Sequence, residues 1–136
     1  GSMSILYDAD VSSRTVEAPP VPTMAEAEAE INVYRQIQKQ ITQANERRTQ
    51  ALTQVGENDM VVKELEYLEE DAKVYKLIGP VLVQQDLVEV KANVSKRIEF
   101  IKGDVGRIDK QIKDLERKLE EQRAKVAKLQ QGPAET

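Results

Sequence analysis

The sequence predicts a mainly α protein: one long antiparallel two-helix coiled coil with a single β-hairpin between the helices. Three observations carry that expectation. The five prolines sit at 19, 20, 22, 80 and 133, which leaves two long proline-free arms around one internal breaker pair, Gly79-Pro80. More than two fifths of the chain is Ala, Glu, Lys, Leu or Arg, a bias typical of long helices. In the second arm apolar residues recur at alternating steps of four and three, the mark of a left-handed supercoil with a partner helix.

Residues 1–22 read as a disordered tail. Gly1-Ser2 ahead of Met3 looks like an expression scar, and residues 3–22 show no helical period before ending in Pro19, Pro20 and Pro22. Ile5-Leu6-Tyr7 is too short for the apolar region of a signal peptide. It could serve as a docking peptide, but an untethered terminus is the favoured reading.

Residues 23–66 read as the first coiled-coil helix. Thr23 followed by Glu26 is a capping box, in which each side chain satisfies a backbone N–H of the other residue. The seam runs through Tyr34, Ile37, Ile41, Ala44, Arg48, Ala51, Val55, Asn58, Val62 and Leu65. Arg48 is expected to lay its methylene stem along the seam and send its guanidinium to water. Arg48 and Asn58 read as register-setting positions and not as chemistry.

Residues 67–85 read as a linker and a hairpin, with strands at 73–78 and 81–85 joined by Gly79-Pro80. A lone two-stranded hairpin is marginal in water. Val74, Tyr75, Leu77, Ile78, Val81, Leu82 and Val83 carry more apolar surface than two helix ends can cover, and unpaired strand edges invite further strands. The hairpin is therefore expected to pair with hairpins of other subunits as an oligomerisation element. The alternative is a hydrophobic turn folded onto its own helices.

Residues 86–131 read as the second helix, started by Asp86 and Glu89 at capping-box spacing. Its seam is Val94, Ile98, Ile101, Val105, Ile108, Ile112, Leu115, Leu119, Gln122, Val126 and Leu129. Gly103 and Gly106 fall on the outer face and leave the seam closed. Gly132-Pro133 opens a short disordered tail, 132–136. Antiparallel alignment of the two seams sets Leu65 against Ile98, Ala44 against Leu119 and Tyr34 against Leu129, with small residues facing bulky ones.

Composition excludes most chemistry. With no Cys and no His there is no thiolate, no Ser-His-Asp triad and no zinc site of nitrogen or sulfur ligands. Glu69-Glu70-Asp71 lacks the spacing of a calcium loop, and GDVG at 103–106 is too short for a phosphate loop. No catalytic residue, metal or cofactor is expected. A net charge of −4 argues against nucleic acid, and no apolar run approaches the roughly 20 residues that span a bilayer. A cytoplasmic protein is expected.

The run Val74-Tyr75-Lys76-Leu77-Ile78-Gly79-Pro80-Val81-Leu82-Val83 resembles the hairpin of the beta-class subunits of prefoldin. The stretch Asn93-Val94-Ser95-Lys96-Arg97-Ile98-Glu99-Phe100-Ile101 is similar to theirs, as is Val62-Lys63-Glu64-Leu65-Glu66 before Leu68. The resemblance covers about residues 24–131. It implies a heterohexamer of alpha- and beta-class subunits whose hairpins build a barrel body and whose coiled coils hang as tentacles. It also implies ATP-independent capture of unfolded actin and tubulin and their delivery to the cytosolic chaperonin. Alpha-class subunits carry two hairpins between their helices, and this chain has room for one. On that reading the arm tips hold clients through Ile31, Val33, Tyr34, Ile37, Val126 and Leu129, with ordinary seam packing as the competing role. A structural coiled-coil adaptor or tether is the alternative function.

Overall fold

The computed structural model of the protein describes residues 21–130, so of the tails expected at 1–22 and 132–136 all but Val21 and Pro22 lie outside the described residues. Helix α1 spans Met24–Glu66, strand β1 Val74–Ile78, strand β2 Val81–Gln85 and helix α2 Leu87–Gln130. At 43 and 44 residues each helix is about 65 Å long. Among the described residues the extensive packing between elements is α1 on α2 and β1 on β2.

The capping box at the start of α1 is complete. Glu26 N–H donates to Thr23 Oγ1 at 3.1 Å, and Thr23 N–H donates to Glu26 Oε2 at 3.1 Å. The start of α2 differs from expectation: among the described residues the Asp86 side chain makes no capping bond, and its backbone carbonyl accepts from Val90 N–H at 2.9 Å. That bond commits Asp86 to the helix start. Lys73, which would pair with it, therefore has no strand partner, and β1 begins one residue later than expected, with Val74 opposite Gln85.

The hairpin closes on the Gly-Pro pair, with Ile78 opposite Val81. Gly79 has φ +59°, and proline holds φ near −65°. A positive then a negative φ is the sign pattern of a type II′ turn, whose twist matches that of the strands it joins. Open space surrounds a Cβ built at Gly79, so only backbone conformation selects glycine there.

Two buried clusters hold the helices together. One, nearest the hairpin, contains Val55, Leu65, Val94, Ile98 and Ile101, with Val74, Leu87 and Val90 packed against it. The other, nearer mid-arm, contains Ala44, Ile112 and Leu115, flanked by Ile37, Ile41 and Ile108. Arg48 lies between them. Every expected seam position is buried or half-buried, while Gly103 and Gly106 are exposed on the outer face.

The register between the helices departs from expectation by about one heptad. Arg48 Nε bonds Asp109 Oδ1 at 2.6 Å, and Arg47 donates to Gln111 at 2.9 Å; the expected alignment set Arg48 beside Leu115. Near the tip, Gln122 Nε2 donates to Glu30 O at 2.9 Å and to Glu30 Oε2 at 2.6 Å. Lys125 Nζ joins Glu30 at 3.1 Å. All four contacts are displaced in the same direction. A slip of one heptad still sets a positions against d positions, so apolar periodicity is indifferent to it. Polar pairs across the seam are not, and they select the observed register. Small still faces large, with the fully buried Ala44 beside Ile112 and Leu115.

Candidate functional site

Successive residues of a strand point to opposite faces, and directly paired residues share a face. Tyr75, Leu77, Leu82 and Gln84 thus form one face of the hairpin, and Val74, Lys76, Ile78, Val81, Val83 and Gln85 the other. Of the seven apolar hairpin residues singled out in the sequence, Val74 alone packs into the hairpin-proximal buried cluster. Tyr75, Leu77, Ile78, Val81, Leu82 and Val83 are exposed, with Leu77 at 67% and Leu82 at 64%. Both faces of the ribbon are therefore largely apolar and, beyond Val74, uncovered. A turn folded onto its own helices describes Val74 and nothing beyond it.

The tips are different. Ile31, Tyr34, Ile37, Val126 and Leu129 are half-buried along the seam; of the six tip residues only Val33 is exposed, at 46%. Seam residues on the tip side of Ala44 and Leu115 are never fully buried. Glu30, Gln122 and Lys125 put a polar layer into this stretch. The Gln122 amide, followed by the Lys125 ammonium, holds the Glu30 carboxyl below its ordinary range.

Several features were not legible beforehand. Asp109 as partner of Arg48 is one: the guanidinium reaches across the helix pair to a carboxylate. Asn58 donates to Gln54 O on its own helix at 2.7 Å. Phe100, Val88, Met60 and Tyr67 are exposed apolar residues outside both the seam and the hairpin; their off-seam heptad positions were the available signal. Among the described residues no group of three or more Asp, Glu, His or Cys could hold a metal ion, and no helix is long and apolar enough to cross a membrane.

Fold and surface define a class: a slim two-helix coiled coil that carries an uncovered apolar hairpin at one end. Comparison with known proteins supplies the family. The "Prefoldin subunit" family description matches residues 28–133. Prefoldin subunit 6 of Arabidopsis thaliana is 50% identical over 104 residues, covering 76% of this chain and 81% of that protein. Prefoldin subunit 6 of Homo sapiens is 40% identical over 104 residues, with 76% and 81% covered. The crystal structure of the prefoldin beta subunit from Thermococcus strain KS-1 superimposes with a TM-score of 0.69 at 23% identity, over 80% of this chain and 94% of that one. The chain belongs to the prefoldin subunit family. It is a chaperone-complex subunit and not an enzyme.

Proposed function

We propose that this chain is a beta-class subunit of a cytoplasmic prefoldin heterohexamer. In it the chain captures unfolded proteins, actin and tubulin among them, without ATP and passes them to the cytosolic chaperonin. The observation that carries the assembly part is the hairpin, largely apolar on both faces and, beyond Val74, uncovered. Exposed apolar surface of that kind is stable in water only when other chains cover it, and a ribbon with two free edges is extended most readily by further strands.

The capture part rests on the opposite end. The seam there is half-buried and interrupted by a polar layer, so opening it costs less than opening the hairpin-proximal clusters. Val33 is available at once; Ile31, Tyr34, Ile37, Val126 and Leu129 become available as the tips part. Weak contacts shared among several tentacles would add up to useful avidity. A coiled-coil tether would be served by a short polar turn between its helices, so no observation favours that alternative.

The test is co-expression with an alpha-class subunit, followed by mass measurement and an aggregation-suppression assay on unfolded actin. A stable complex of alpha and beta chains that suppresses aggregation is expected. A chain that stays alone, or a complex with no effect on aggregation, removes the reading.

A further inference from the structure

A groove of about 300 Å³ lies where the hairpin meets the helices. Val61 of α1, Tyr75 and Lys76 of β1, and Val90, Asn93 and Arg97 of α2 form its walls. One turn beyond Arg97, on the same side of α2, Phe100 is 68% exposed, and the Arg107 guanidinium sits 6.0 Å from its ring centre. Two features mark this groove. Its lining includes two cations and no carboxylate, although the chain as a whole carries −4. Neither Lys76 nor Arg97 has an ion-pair partner among the described residues. The apolar shelf of Val61, Tyr75 and Val90 also runs directly into the exposed hairpin.

We propose that this groove receives the helix-to-hairpin linker of an adjacent prefoldin subunit, an acidic segment with apolar side chains. The proposal rests on the assembly role given to the hairpin above. Continuity supplies the geometry: β1 is at once a wall of the groove and half of the hairpin. A neighbouring hairpin paired along the β1 edge would carry its own linker end to this groove. Charge supplies the chemistry: carboxylates of the linker meet Lys76 and Arg97, while an aromatic or aliphatic side chain covers the shelf down to Phe100. This chain's own linker shows what such a segment looks like. It reads Tyr67-Leu68-Glu69-Glu70-Asp71, with Tyr67 89% exposed. A linker seated in the next subunit's groove is a head-to-tail contact, the kind that closes into a ring. It would fix the order of subunits in a way that generic strand pairing leaves open.

The experiment replaces Phe100 with photoactivatable p-benzoylphenylalanine in the complete complex, assembled with its alpha- and beta-class partners. Irradiation is expected to join this chain to a neighbouring prefoldin subunit, with the adduct mapping to that subunit's helix-to-hairpin linker. Adding Arg97→Glu should lower the adduct yield by about tenfold, with helical content by circular dichroism unchanged. An adduct to this chain's own residues 1–20, an adduct only to an added unfolded client, or no adduct in an intact complex overturns the assignment. If the chain with native Phe100 enters no complex, the assembly reading itself fails and the groove assignment goes with it.

Discussion

Leu82 and Leu115 are the same residue in two regions with opposite fates. Leu115 sits in the helix pair at 8% exposure; Leu82 sits in the hairpin at 64%. The difference follows from what each element can cover by itself. A heptad stripe is narrow, and one antiparallel partner helix closes over it. A two-stranded ribbon has two faces and two edges, and a chain with one hairpin has nothing left with which to cover them. The helix pair is thus closed within the chain, while the hairpin is left largely uncovered by it.

That contrast can be broken most sharply at Leu82. Leu82→Asp should abolish incorporation into the prefoldin complex, seen as loss of co-purification with partner subunits. The thermal melt of the isolated chain should hardly move, because the side chain is already in water. Normal incorporation would end the contrast. Ile98→Ala should do the reverse. Ile98 belongs to the hairpin-proximal cluster, and its truncation should destabilise the chain by about 2–3 kcal/mol, read from the melt, with the hairpin surface untouched. Third comes the tip: the combined Ile31→Ser, Val33→Ser and Leu129→Ser variant should reduce capture of unfolded actin several-fold while the complex still assembles. Full capture would return those residues to seam packing alone.

Two smaller effects probe the polar contacts that set the register. Arg48→Ala should cost about 0.5–1 kcal/mol, since its ion pair with Asp109 is partly solvated. A double-mutant cycle with Asp109→Ala isolates the pair. At the tip, the depressed pKa of Glu30 means its contribution is whole above the ordinary carboxylate value of 4.5 and is lost as pH falls through the lower folded value. Acidification below that point should widen a spin-label distance across the tips, and Glu30→Gln should remove the acid response.

Much of this was readable from the chain. The proline map bounded the two arms and set the turn at Gly79-Pro80, because proline and glycine act locally through φ. Every residue that the step of three and four named is buried or half-buried, because burial in a two-helix supercoil follows angular position; Leu87 and Val90, packed on the hairpin-proximal cluster, lay beyond the named seam. The hairpin's exposure followed from apolar content in excess of available cover. Less was readable at the tips, where five of six residues proposed for client contact are half-buried and Val33 stands out alone. The Asp86 box was a spacing match that only a backbone bond fulfils, Val90 N–H to Asp86 O.

The sequence by itself thus determined the elements, their seam and the surplus of apolar surface, all of which depend on residue type and short spacings. Only the tertiary structure decided the register of the two helices. Heptad-spaced alignments are nearly degenerate in apolar contact. They are separated by which polar side chains meet across the seam, Arg48 with Asp109 and Gln122 with Glu30. Those meetings join residues more than sixty apart in the chain, and no local pattern announces them.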